Sequence, residues 1–319
     1  MDAQLAAIDA AHAIPSGENA ADDWIALVRD ANTPPPDPQL LSNQALGATL
    51  WRPWRSADQP QAAKWMQDNQ AVLTALLRIA DKPKCWFPVS DVNRPRQNYM
   101  LMERQGAMLV MRAANNDLAE DRPEAALEKL LATLRIARQL SSQAHSSEFV
   151  AGWAICPMVA EQIIWTVANY PVPDPWLTRF EPEIAAIEGT CDERFQEYSK
   201  VMSLHIKKYG NGGSRLVHML IGLIPGRTKA GLLGTERTPV KLRGCRILVA
   251  LRRHKDATGA WPQSLSEIQA KLPREALVDP LSKRPFVYRR DHGSFALYGV
   301  GSNGIDDGGL RDDRRVWPR

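Results

Sequence analysis

Residues 294–300, Ser-Phe-Ala-Leu-Tyr-Gly-Val, form an apolar, strand-like run that passes directly into Gly301-Ser302-Asn303-Gly304-Ile305-Asp306-Asp307-Gly308-Gly309. Glycines permit a tight backbone, and carboxylates supply hard oxygen donors. A strand feeding such a loop is therefore a candidate cation site.

Other reactive residue types do not converge on a reaction. His12, His145, His205, His218, His254 and His292 are scattered, with no H-E-x-x-H pair. His145 and Glu148 stand three apart on a predicted helix, where they present a shared ligand face or a plain surface pair. Gly226-Arg227-Thr228-Lys229-Ala230-Gly231 has the outline of a phosphate loop, but Leu232 occupies the position that requires Lys. Neither G-x-S-x-G nor a glycine fingerprint after a strand is present. Cys85, Cys156, Cys191 and Cys245 show no C-x-x-C spacing and read as buried free thiols.

The elements that must position the C-terminal loop follow from periodicity. Leu5, Ile8 and Ala11 share the face of a first helix, and Pro34-Pro35-Pro36-Asp37-Pro38 marks an extended spacer. Trp51 and Trp54 sit in a proline-containing loop, as a peptide platform or as packing onto a neighbouring helix. Apolar positions from Trp65 to Ala80 predict one helix over 64–80, and Met100, Leu101, Met108 and Met111 predict a second over 97–118. Asp121 is the expected N-cap of a third, with Pro123 in its first turn and Leu127, Leu130, Leu131, Leu134 and Ala137 as its stripe. The last two resemble a tetratricopeptide-type hairpin, without a second copy at a fixed period. Helical patterns resume over 148–170, 176–209 and 239–255, and 286–300 reads as a β-hairpin turning at Asp291-His292-Gly293. The fold class is thus mainly α, α+β overall: an α-helical domain over 1–209, a basic linker over 210–239, and a helix plus antiparallel hairpin over 240–319. At 44% hydrophobic and 24% charged, 319 residues suffice for two packed domains. No run is read as long and apolar enough to span a bilayer, and the start lacks a signal-peptide pattern. The expected location is cytoplasmic, or the cell envelope if an anchor precedes the chain.

Arg252-Arg253-His254-Lys255, Gly259-Ala260-Trp261-Pro262-Gln263-Ser264-Leu265, Asp279-Pro280, Tyr288, Leu297-Tyr298-Gly299-Val300-Gly301 and Asp306-Asp307-Gly308-Gly309 occur in that order. In this order they resemble the head domain of the type II secretion major pseudopilin, over roughly the last 75 residues. The helical part, at Asp68-Asn69-Gln70 and over 122–140, resembles uncharacterised bacterial proteins that carry such a tail. The resemblance implies a small antiparallel sheet on the end of a helix, and a calcium ion in the loop after the last long strand. Carried over by position, Asn303 falls where the family tends to have Asp, and Asp312 and Asp313 fall near its second acidic pair. Calcium takes six to eight oxygens, and Asn303, Asp306, Asp307, Asp312 and Asp313 with backbone carbonyls are the expected set. The competing expectation is that Arg311, Arg314 and Arg315 neutralise the same carboxylates. The chain lacks the prepilin leader and is not expected to polymerise as a pilin does.

Charge is unevenly spread. From Lys200 to Lys255 there are 13 basic residues and one acid, Glu236, a local +12 that leaves −8 for the remainder of a chain carrying +4 overall. With the apolar run 216–224, this segment is suited to an anionic membrane surface through Lys207, Lys208, Arg252 and Arg253. Pairing with the acidic remainder is the alternative. No helix-turn-helix or aromatic-interleaved basic strand accompanies the charge, which disfavours nucleic acid. The functional expectation is a non-catalytic interaction or scaffold protein with a protein partner, against an enzyme with a pocket inside the helical domain.

Overall fold

A computed structural model describes residues 2–15, 17–29, 47–90, 96–144, 146–189, 196–201, 203–204, 237–291 and 293–318. The protein is mainly helical with a small antiparallel sheet at its C-terminal end, the expected class. It divides into two compact units: residues up to Ile155 with the described residues of 190–223, and Cys156–Gly189 with the described residues from 224 onward. The chain passes between the units within one helix after Ile155, again after Gly189, and once more after Leu223, inside the linker expected over 210–239. Only 237–239 of that linker belong to the described residues.

The first unit holds α1 (Asp2–Ala11), α2 (Ala20–Arg29), α3 (Pro60–Asp68), α4 (Gln70–Asp81), α5 (Arg96–Ala119), α6 (Pro123–Ser141) and the start of α7 (Ser146–Asn169). The single helix expected over 64–80 is two. Asn69 breaks it by donating its side-chain amide to the Trp65 carbonyl at 2.8 Å, a local bond that competes with the helical ladder. Asp121 is not the cap of α6; it lies at φ 58 in the α5–α6 corner, and Arg122 takes the N-cap position ahead of Pro123. α5 and α6 pack as the hairpin the spacing predicts, burying Leu109, Val110, Leu130, Leu131 and Leu134 completely. Trp54 is buried and donates Nε1 to the Arg112 carbonyl at 3.1 Å, so this tryptophan packs onto a helix.

The second unit holds the rest of α7, α8 (Asp174–Gly189), α9 (Arg237–Thr258) and strands β1 (Val287–Asp291), β2 (Ser294–Gly299) and β3 (Arg314–Trp317), in the order β1-β2-β3. One correction concerns hydropathy: within α7, residues 147–169 are long and apolar enough to cross a membrane, and 67% of the window is buried in the fold. β1 and β2 form the expected hairpin, pairing from Val287 with Tyr298 to Asp291 with Ser294. β3 has no counterpart in the sequence reading; it pairs antiparallel with β2 and places Val316 in the core. α9 packs against β3 at Gly244, where an added Cβ would stand 2.5 Å from Val316 Cγ1. Gly259, at φ 80, ends α9 by donating its amide to the Lys255 carbonyl.

Candidate functional site

The loop 301–313 leaves β2 and returns as β3, so the sheet holds both of its ends. Its backbone amides have no ladder partners, and its carboxylates turn inward to accept from them. Asp313, 7% exposed, accepts through Oδ2 from Asp307 N at 2.9 Å and Gly309 N at 2.7 Å. Asp306 accepts through Oδ1 from Gly308 N and the Tyr298 hydroxyl, both at 2.9 Å, and through Oδ2 from Arg289 Nη2 at 2.6 Å. Asp312 Oδ2 accepts from Asn303 N at 2.9 Å and Ser302 Oγ at 3.2 Å, while Oδ1 faces Arg314 Nη2 at 3.3 Å. Asn303 Oδ1 accepts from Ile305 N at 2.8 Å, and Asp307 Oδ1 lies 3.6 Å from Arg311 Nη1.

These bonds set the electrostatics. The Gly308 amide, then the Tyr298 hydroxyl and Arg289, hold the Asp306 carboxyl below the usual carboxylate range. The Asn303 amide, with Ser302 and Arg314, does the same for Asp312. Burial, reinforced by Asp306, pushes the Tyr298 hydroxyl up to about 12.

All five expected cation ligands therefore lie in one loop, but their oxygens are not gathered on one point. Among the described residues no group of three or more His, Cys, Asp or Glu side chains is placed to hold a metal ion. Of the arginines expected to neutralise the loop, Arg311 and Arg314 face carboxylates, and Arg315 donates instead to the Gly309 carbonyl at 3.1 Å. Arg289, from β1, is a partner that sequence reading missed, because its pairing arises only when the hairpin folds. One loop acceptor remains: Asp313 Oδ1 is buried without a partner.

Asp279 is fully buried and accepts from Leu281 N at 3.0 Å, Ser282 Oγ at 2.7 Å and Gly301 N at 3.1 Å. It ties the turn before β1 to the first residue of the loop. The loop also exposes Ile305 (61%) and Leu310 (60%), the exposed large hydrophobic residues among those described.

Arg243, Arg246, Arg252 and Arg253 of α9 are engaged within the second unit. Glu188 of α8 takes Arg243 Nε at 2.6 Å and Arg246 Nη1 at 2.9 Å. Arg252 donates Nη1 to the Val167 and Tyr170 carbonyls, at 3.3 and 2.9 Å, where the C-terminus of α7 offers unpaired acceptors and partial negative charge. Arg253 binds Asp174 at 2.6 Å and Glu181 at 2.7 Å. Arg252 and Arg253, expected to face lipid, are thus engaged by their own unit. Lys207 and Lys208 lie outside the described residues, as do the 226–231 loop and His145 of the His145–Glu148 pair.

In the first unit, a groove of about 460 Å³ lies between α1 and the helical residues 196–201 and 203–204, lined by Ala7, Ile8, Ala11, His12, Glu197 and Leu204 among others. His12 is stacked on Trp86, with ring centroids 3.9 Å apart, and its nitrogens face the Ile8 carbonyl at 3.0 Å and Glu197 at 3.3 Å. Cys156 and Cys245 are buried, Cys85, expected to be buried, is only half so, and burial pushes the Cys245 thiol up to about 12. Compared with known protein families, with curated proteins and with solved structures, the chain matches none.

Proposed function

We propose that this chain is a non-catalytic interaction protein that receives a protein partner on its C-terminal loop. The observation that carries this reading is the exposed pair Ile305 and Leu310 on a loop tied at both ends. Folding such a loop around its own amides while leaving two branched side chains about 60% exposed forgoes roughly 1–2 kcal/mol of burial for each. A partner covering both recovers it. The likeness of the tail to a pseudopilin head supports a secretion or cell-envelope setting. The test is a photo-crosslinking residue placed at 305, at 310, or at the exposed control position Lys271, in the cells that make the protein. The expected result is one discrete adduct from both loop positions, lost when the other loop residue is changed to serine. Identical adducts from position 271, or none from the loop, would overturn the reading.

A second reading, calcium in the same loop, is favoured by the orphaned Asp313 Oδ1. Bound, calcium would take this oxygen together with loop carbonyls. An ion that binds only the folded state adds RT ln(1 + [L]/Kd) to stability. Millimolar calcium is therefore expected to raise the melting temperature over a chelator control, and Asp313→Ala to abolish the rise. Superimposable melts would remove calcium from the account.

A further inference from the structure

α5 is buried nearly all round from Gln105 to Leu118. Several polar side chains that it carries inward are fully answered. Asn115 Nδ2 donates to the Thr49 and Leu50 carbonyls at 3.0 and 2.8 Å, and Asn116 Nδ2 donates to the Trp54 carbonyl and Ser56 Oγ at 3.1 Å. Asp117 is held by Arg122 and Lys129.

Arg112 is treated differently. Only 3% exposed, it donates Nε to Thr49 Oγ1 at 3.1 Å, and its guanidinium carbon stands 5.7 Å from the centroid of the Trp65 ring. Its Nη2 is buried with no acceptor. Burial alone moves its pKa, down to about 10, with no carboxylate opposing the shift. The acids of its own helix are badly placed: Asp117, five residues on, lies about 140° round the helix, and Glu103, nine residues back, lies on the opposite face about 13 Å along the axis. Trp65 Nε1 is a second buried donor without an acceptor, on the ring whose face the guanidinium covers in a cation–π contact.

Burying an unpaired cation is costly, and proteins ordinarily answer one with a carboxylate or a bound anion. Two unpartnered N–H donors on neighbouring side chains, one of them charged, match a group that only accepts and carries negative charge. Water accepts as well, but leaves the charge uncompensated. We infer that Arg112 and Trp65 form an oxyanion-binding site in the first unit, taking the carboxylate or phosphate group of a small ligand beneath the segment 47–56. Arg112 holds the anion by charge-assisted hydrogen bonds, and Trp65 Nε1 supplies a second, orienting donor.

The test is thermal unfolding of the full chain, followed by tryptophan fluorescence. One arm is titrated with inorganic phosphate and one with succinate, against sodium chloride of matched ionic strength. A rise of several degrees that saturates is expected in one arm, and the arm that responds identifies the anion. Arg112→Met removes the charge and keeps the bulk; it is expected to melt no lower than the parent in chloride and to lose the rise. Trp65→Phe keeps the ring but not the donor, and is expected to move the titration midpoint about tenfold higher, the effect of one charge-assisted hydrogen bond. Absence of a saturable rise in both arms overturns the inference. So does an equal rise in Arg112→Met or, should that variant not fold, an unchanged midpoint in Trp65→Phe.

Discussion

Gly152→Ala is expected to lower the melting temperature by about 8–12 °C, the consequence of a loss of roughly 3–4 kcal/mol in a unit of this size. Gly152 lies in α7 where it crosses the end of α6. A Cβ there would stand 2.6 Å from Leu140 C and 2.7 Å from Ser141 Cα, and closer still to Ser141 N. These are backbone atoms and cannot swing aside as a side chain would, so the two helices must separate. Alanine's higher helix propensity returns only about 1 kcal/mol, which the clash exceeds. Gly189→Ala is the matched control, since an added Cβ there meets nothing within 4 Å. Thermal melts that place Gly152→Ala within a degree of Gly189→Ala would show that the crossing is looser than described.

The second large effect is expected at the base of the C-terminal loop. Asp279→Ala leaves three donors without an acceptor: Leu281 N, Ser282 Oγ and Gly301 N. Each buried unsatisfied donor costs about 1–3 kcal/mol, and the hydroxyl can recover part of its loss by turning to water. A loss of roughly 3–5 kcal/mol follows for the second unit. Asp279→Asn should fall between, because an amide can still accept from Leu281 N but presents its own hydrogens to the Gly301 amide. Urea unfolding gives the stability loss, and hydrogen exchange at Gly301 reports whether the loop is released with it. Both variants within 1 kcal/mol of the parent, with unchanged exchange, would exclude Asp279 as the anchor.

What could be read along the chain was whatever depends on near neighbours. Spacing of apolar residues at helical period places α5, α6 and α7, because the face a residue takes is set by residues three and four away. Alternation and Gly293 place the β1–β2 hairpin, whose register needs only a short turn. The oxygen-rich character of 301–313 is visible in its composition. The same local signals mislead at Asn69, where one side-chain bond divides a helix of continuous apolar spacing, and at Asp121, whose left-handed backbone hands the cap position to Arg122.

Tertiary structure alone decided how charges and strands are used, because their partners are far away in sequence. Within the +12 stretch, Arg243, Arg246 and Arg253 of α9 are engaged by Glu188, Asp174 and Glu181 of α8, 55 to 79 residues away. β3 is four residues with two arginines and no alternation, and it exists because β2 offers a free edge beside α9. The loop carboxylates have enough oxygens for a cation, and the fold spends Asp306 Oδ1, Asp312 Oδ2 and Asp313 Oδ2 on backbone amides that would otherwise be unpaired. Arg112 is the converse case: its type is ordinary in a helix, and only burial against Trp65, with no carboxylate opposing the shift that burial causes, makes it a group that needs an anion.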